Sequence, residues 1–450
     1  MPNPTSAHAC TMCNSRDPSY WKMPLIGATH CKGAAASRGH QSCGIDVATD
    51  GVIMWGSIIS EWASLLLRWL HVVAAIAWIG SSFYFIHLDL SLKPQRDLPD
   101  GVQGEAWQVH GGGFYRIMKY LVAPSQMPEE LTWFKWEAYT TWLSGFALMV
   151  VVYYLDADLF LVDKSILDLT PVQAGLFSFC SLALAWALYE IACRTGLGQR
   201  ELGFAIGGYV FLVALTYAFT HVLSGRGAFN QIGAIIGTIM VANVFAVIIP
   251  NQKKIVAALI AGEAPDPKLG KTSKERSVHN NYLTLPVVVL MISNHYPLLY
   301  ATRFNWIIVA IVLALGPVIR HFFNERHAGR RSPWWVWGVA TAGVIAIGAL
   351  SAAGPREAKT GVLSAQPTLA NVEDIVMSRC SMCHAAEPVW AGIVTAPKGI
   401  LLDGSEHIQR NIRLIGRVAA WSNAMPPGNI TEMTSEERAI LAAYIGGQDR

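Results

Sequence analysis

Near the carboxyl end, Cys380-Ser381-Met382-Cys383-His384 spells C-x-x-C-H, the pattern at which a haem is joined to two cysteines through thioethers while the histidine becomes an axial iron ligand. Two thiols so spaced reach the same edge of a porphyrin, and the adjoining imidazole is carried beneath the iron. A second axial ligand is offered by Ala424-Met425-Pro426-Pro427-Gly428-Asn429, a thioether on a stiff Pro-Pro turn. Met425 is therefore the candidate, Met433 lying too near the final helix. A zinc knuckle is the competing reading, but zinc wants two further Cys or His close by and only His407 follows. Val372, Ile375 and Val376 make an apolar stripe running into Cys380, and Thr434-x-x-Glu437 is a capping box opening a last helix with Ile440, Leu441, Tyr444 and Ile445. These features predict a small class I-like cytochrome c domain over 371–450. It carries one covalent haem c on Cys380 and Cys383, with the iron between His384 and Met425. Bacterial haem attachment takes place outside the cytoplasmic membrane, so the motif sets a compartment too.

A second set of residues sits inside apolar sequence. Glu61, Ser64, Arg68, His71, Ala75, Trp78 and Ser82 recur at spacings of three and four and form one stripe of a helix. An Arg and a His on such a stripe are costly in lipid unless they face protein, water or a ligand, so the stripe is expected to turn inward. His71, His221 and His295 fall in the outer halves of their apolar segments, whereas His87, His279 and His321 fall at inner ends, with His110 in an inner connection. Imidazoles on facing helices are the usual ligands of a non-covalent haem, which makes two of His71, His221 and His295 candidates for a b-type haem beneath the cytochrome. The alternative is that each is a hydrogen-bonded core or interfacial residue. The inner group, with Arg276 and Arg320, offers donors for a planar, hydrogen-bond-rich anion. Those arginines serve equally as topology markers or lipid-headgroup contacts. His110-Gly111-Gly112-Gly113 lacks the strand and helix of a phosphate-cradling loop.

The elements that must carry these residues are legible in composition. Of 450 residues 52% are hydrophobic and 14% charged, a balance shifted towards membrane proteins. A span needs roughly 20 mainly apolar residues to cross about 30 Å of hydrocarbon. Eight stretches qualify, near 63–88, 133–154, 172–193, 202–223, 229–249, 281–300, 304–323 and 334–353. With the cytochrome outside, eight spans place both termini outside. The inner connections then hold sixteen cations (Lys93, Arg96, Arg116, Lys119, Arg194, Arg200, Lys253, Lys254, Lys268, Lys271, Lys274, Arg276, Arg320, Arg326, Arg330, Arg331) against three outside (Lys164, Arg226, Arg303). That is the positive-inside bias in the direction the haem motif requires. The net charge of +3 thus reports topology and not a nucleic-acid partner. Residues 1–54, with Cys10, Cys13, Cys31 and Cys43, show irregular spacing and no signal-peptide pattern. They read as an extension ahead of a second start at Met54 or as a dispensable tail, in preference to a metal site. Cys180 and Cys193 read as buried small apolar residues, and 354–370 as a polar linker. The fold class is all-α, an eight-span transmembrane bundle over 55–353 followed by the cytochrome c domain.

The run Leu67-Arg68-Trp69-Leu70-His71 through Ile76-Ala77-Trp78-Ile79-Gly80-Ser81-Ser82-Phe83-Tyr84-Phe85, the eight spans and the carboxyl-terminal cytochrome c together resemble the integral-membrane urate hydroxylases of bacteria, over about residues 55–450. The resemblance implies oxidation of urate to 5-hydroxyisourate in purine degradation, with oxygen from water. Electrons would leave through the fused haem to a soluble cytochrome c or terminal oxidase, the chain sitting in the bacterial inner membrane with its cytochrome domain in the periplasm. It carries over Cys380, Cys383, His384 and Met425. It brings no catalytic motif for the membrane part, where Arg68, His71, His221 and His295 stand as candidates read from the residues themselves. A competing class is an electron-transfer module that links membrane quinol or a partner subunit to the cytochrome and binds no purine.

Overall fold

The computed structural model describes residues 47–124, 128–195, 201–354, 366–390 and 393–448. The four amino-terminal cysteines and most of the expected linker lie outside them. Thr49–Arg450 forms one compact unit. A helix occupies each of the eight apolar stretches: α1 (Val47–Ser91), α2 (Trp136–Leu148), α3 (Pro171–Arg194), α4 (Glu201–Phe219), α5 (Gly225–Ile260), α6 (Pro267–Ile292), α7 (Asn305–His327) and α8 (Trp335–Ser351). Five of these, α1, α3, α4, α5 and α7, are long and apolar enough to cross a membrane. The other three fall short for visible reasons. Helix α2 gives way to a π-helical turn at Met149–Tyr154, α8 has only 17 residues, and the first half of α6 carries Lys268, Lys271, Lys274, Glu275 and Arg276.

Burial ranks the helices. In α5, 61% of the apolar window is buried, against 6% in α1, so α5 is the axis and α1 a peripheral stave. The core joins Phe229, Ile232, Ile235 and Ile236 of α5 to Leu182 of α3, Leu290 of α6, and Ile308 and Val309 of α7. Gly316 of α7 lies directly on the ring of Pro286 in α6, so that any side chain there would collide with it. Cys180 is exposed on α3 and Cys193 only half-buried, contrary to expectation: a helix whose apolar residues run all round turns part of them outward. Helix α6 stops at Ile292, short of the span expected to reach residue 300. Pro297 has no N–H to continue the ladder, and a 3-10 turn, Ser293–His295, intervenes.

One element departs from the all-α reading. Strands β1 (Val102–His110) and β2 (Gly113–Tyr120) form an antiparallel hairpin with His110 opposite Gly113. The two turn residues, Gly111 and Gly112, have φ of 59° and 81°, the doubly left-handed turn that matches strand twist and that glycine adopts without steric cost. The hairpin lies along the end of α1, with Lys119 paired to Asp89 at 2.5 Å and Tyr84 donating to Gln108 at 2.8 Å.

After α8 the chain builds a smaller second core. Val372, Ile375 and Val376 of α9 (Leu369–Arg379) pack with Leu402, Ile408, Ile415, Met433 and Leu441, the last from α10 (Ser435–Gln448). The expected capping box is formed: Glu437 N–H donates to Thr434 Oγ1 at 3.1 Å and Thr434 N–H to Glu437 Oε2 at 2.7 Å. Arg379 joins the two helices, 3.0 Å from Glu437 and 2.5 Å from the Thr431 carbonyl. This carboxyl-terminal region rests on one end of the bundle, the top. Asn423 N–H donates to the Ala301 carbonyl at 3.2 Å, and Gly428, at φ 56°, sits against the carbonyls of Asp158 and Val162. The hairpin marks the opposite end, the base.

Candidate functional site

In the carboxyl-terminal region Cys380 closes α9, and Ser381–His384 forms a single helical turn behind it. His384 Nδ1–H donates to the Ile400 carbonyl at 2.9 Å. That bond selects the tautomer and leaves Nε2 with its lone pair outward, the second-shell arrangement of a metal-ligating histidine. Burial pushes the Cys380 thiol up to about 12 and raises Cys383 as well, so neither is poised as a thiolate nucleophile. Both are mounts. Met433 is enclosed in the core, whereas Met425 lies partly buried at its edge. The loop of Met425 is held from beneath by Arg438, a residue the sequence reading passed over. Its Nη1 donates to the carbonyls of Ala419 at 2.6 Å, Met425 at 2.8 Å and Ser422 at 3.2 Å, and its Nη2 to Asn429 at 3.2 Å. The guanidinium is 8% exposed and replaces water for three backbone acceptors. Burial lowers its pKa from the ordinary arginine value. His407 spends Nδ1 on Asp403 at 2.7 Å, and no group of three metal-type ligands is assembled among the described residues. The set of Cys380, Cys383, His384 and Met425 thus has the donor chemistry and tautomer that suit a covalently held haem.

In the bundle, the first-helix stripe is inward only in part. Ser64, His71, Ala75, Trp78 and Ser82 are half-buried, whereas Glu61 and Arg68 are exposed. His71 Nδ1–H donates to the Thr141 carbonyl at 2.9 Å, with Ser144 Oγ at 3.3 Å. Its ring lies on Gly145, where an added Cβ would come within 2.8 Å of Cε1. His221 and His295 are exposed. His221 Nδ1–H bonds back to the Tyr217 carbonyl at 2.7 Å, and His295 is carried out of line where α6 ends early. Among the described residues no hydrogen bond or ring contact joins His71, His221 and His295 to one another.

Two polar networks occupy the ends of the bundle, and each is seeded by a π-helical turn, which re-aims side chains out of helical register. At the top, Tyr153 in the π turn after α2 donates its hydroxyl to Asn294 Oδ1. Asn294 donates to Asn230 at 3.3 Å, and Asn230 to Met149 Sδ at 3.1 Å. Arg226 Nε reaches Asn294 Oδ1 at 3.5 Å, and its guanidinium stands 4.3 Å from the ring centre of Phe160 and 5.7 Å from that of Tyr153. Ser224 fixes this geometry. It caps α5 through Gly227 N–H at 2.9 Å and donates its hydroxyl to the Phe160 carbonyl at 2.7 Å. Tyr300 is near enough to interact with the Arg226 charge, and Arg68 with Tyr153.

At the base, Asn243 in the π turn of α5 donates to Tyr189 at 3.0 Å and Asn280 at 2.9 Å, and Tyr189 bonds His279 Nδ1 at 2.8 Å. Arg276 is neutralised by Glu190 at 2.8 Å, which also takes Arg194 at 2.7 Å. Arg320 Nε donates to Asn281 at 2.5 Å and its guanidinium lies 3.8 Å from the Phe83 ring centre. Its Nη2 is buried without a partner, as are Nδ1 of His87 and of His327, whose rings meet edge to face at 4.3 Å. The expected inner donors are therefore divided. His279 and Arg276 belong to one closed network and Arg320 to another, His321 stands 3.9 Å from Glu325, and His110 is exposed at the hairpin turn.

These features define an apolar helical bundle with a polar network at each end and, in a separate core resting on the top, the C-x-x-C-H turn and a Met425 loop braced by Arg438. Residues 57–351 match the urate oxidase N-terminal family, and the chain belongs to it. That match covers the whole bundle and ties it to urate and to oxidoreduction. No curated protein and no solved structure matches the chain.

Proposed function

We propose that the protein oxidises urate to 5-hydroxyisourate at the bacterial inner membrane, with a haem c on Cys380 and Cys383 as the electron exit. The eight helices act as eight spans, the top faces the periplasm, and a soluble cytochrome c or a terminal oxidase takes the electrons onward. The urate monoanion gains a C5–O bond from water and gives neutral 5-hydroxyisourate, one proton and two electrons. One-electron acceptance and release is the chemistry a haem supplies when bound here. This chain's residues supply the rest: His384 presents Nε2, Arg438 holds the Met425 loop, and Asn423 and Gly428 seat that loop on the bundle.

One observation carries the reading. The ligand-bearing loop is bonded to the connections of the domain that belongs to the urate oxidase family, so purine chemistry and electron exit share one framework. The test uses membranes from cells expressing the full chain, mixed with urate, with ultraviolet loss of urate followed beside reduction of the c-haem band. Coupled loss and reduction is the expected result. Reduction by quinol with urate untouched would instead make the chain a purine-independent electron-transfer module.

A further inference from the structure

We propose that the substrate anion binds at Arg226, in the network under the carboxyl-terminal region, and that this site takes planar oxopurine monoanions. The inference deepens the proposed urate oxidation and rests on it.

Charge is the first argument. An anion entering an apolar bundle needs a cation whose charge is not already spent. At the base Arg276 is paired to Glu190 at 2.8 Å, but no carboxylate lies in ion-pair range of Arg226 among the described residues. Its guanidinium is held by the rings of Phe160 and Tyr153. Ring contacts of that kind leave the terminal Nη1 and Nη2 groups for an end-on bidentate bond, while Nε–H is given to Asn294 at 3.5 Å. Asn294 spends its amide on Tyr153, Arg226, Asn230 and Met291 and so positions the guanidinium, and Asn230 Oδ1, which accepts only from Asn294, keeps a lone pair beside it. A flat heterocycle edged with oxo and N–H groups is complementary to that set.

Access is the second. Arg320, the other arginine without a carboxylate partner in the bundle networks, is 4% exposed and sealed between helices, whereas Arg226 is only partly buried.

Position is the third. Phe160 lies between Asp158 and Val162, whose carbonyls meet Gly428, and Tyr300 precedes Ala301, whose carbonyl takes Asn423 N–H. The walls of the Arg226 site are thus the segments on which the Met425 loop rests. Electron transfer weakens steeply with distance, and a purine oxidised here is beside its exit. One bound at Arg320 would have the thickness of the bundle to cross.

Arg226→Gln, Arg226→Lys and Arg320→Gln in the full-length holoprotein decide the matter. The readouts are KM for urate from c-haem reduction, equilibrium dialysis of radiolabelled urate against ascorbate-reduced protein, which cannot turn over, and the amount of ascorbate-reducible haem. Arg226→Gln should raise KM at least tenfold and abolish retention in dialysis with haem content unchanged. Arg226→Lys should fall between, keeping the charge without the fork. If Arg226→Gln loses haem, Arg226→Lys carries the test. An Arg226 variant with KM and retention within twofold of the parent overturns the proposal, as does a tenfold rise in Arg320→Gln alone. A parent protein that retains urate in an Arg226-dependent manner without consuming it would overturn the oxidation and keep the site.

Discussion

Two histidines in this chain are held by the same device and sit in different company. His384 and His71 each give Nδ1–H to a backbone carbonyl at 2.9 Å, Ile400 and Thr141 respectively, and each is left with Nε2 unengaged. Opposite features follow in the two regions. In the carboxyl-terminal region two thiols flank the imidazole, and a methionine loop is braced by a buried arginine with four bonds. In the α1–α2 seam the imidazole lies against Gly145, and His221 and His295 are exposed. The same locked tautomer thus serves two surroundings, and in the proposed reading it is the braced methionine loop that sets His384 apart.

The comparison can be broken first at its strongest point. Replacing His384 by Ala should abolish urate-dependent reduction of the c-haem band while the chain still inserts in membranes, read by haem absorption and membrane fractionation; retained reduction would strip His384 of its distinction. Next, pyridine haemochrome on purified protein should show c-type haem alone. A b-type haem that disappears in His71→Ala would make the two histidines equivalents. Arg438→Gln strands the carbonyls of Ala419, Ser422 and Met425 in a buried loop. Each such group costs about 1–3 kcal/mol, partly met by the shorter amide, so the carboxyl-terminal region should lose on the order of 3 kcal/mol in thermal unfolding and its methionine–iron absorption band should weaken. Gly145→Ala should cost less, about 1–2 kcal/mol from overpacking against His71, visible as a lower melting temperature of the bundle with haem absorption unaltered.

The smallest effect concerns a carboxylate in neither region. Glu105 is held below its ordinary value of 4.5 first by Arg116 at 2.5 Å and then by Trp107 at 3.0 Å. A lowered carboxylate stabilises above its unfolded pKa, and the contribution is lost as pH falls through the lowered value. Hairpin amide protection, taken relative to the intrinsic exchange rate at each pH, should therefore hold from neutrality to about pH 5 and fall at more acidic pH, with Glu105→Gln removing the step.

Much of this architecture was written in local chemistry. Eight apolar runs gave eight helices because length and hydropathy decide such segments before tertiary contacts do. Thr434 and Glu437 bonded as their spacing promised, because a capping box closes within one turn. What escaped depended on distant partners. Arg438 looks like a surface cation of a terminal helix until the Met425 loop folds over it. Arg226 passed as one of three topology markers, and nothing local shows Phe160 and Tyr153 closing on it. The Asn and Tyr residues within apolar runs were the signal available, since an amide buried there needs a partner. Gly111-Gly112 is a local turn signal, but the strands beside it are steadied by contacts with the distant end of α1, through Asp89 and Tyr84, that no local pattern shows.

The bond from Asn423 to Ala301 and the close approach of Gly428 to the Asp158–Val162 carbonyls have a kinetic meaning for the proposed function. A domain on a free tether would collide with its donor at a frequency set by tether length, but for one held in place the proposed first electron hop would be a fixed, unimolecular event. Dilution of the enzyme in detergent should then slow only the hand-off to the external acceptor, and the interior hop should keep the same rate at every concentration.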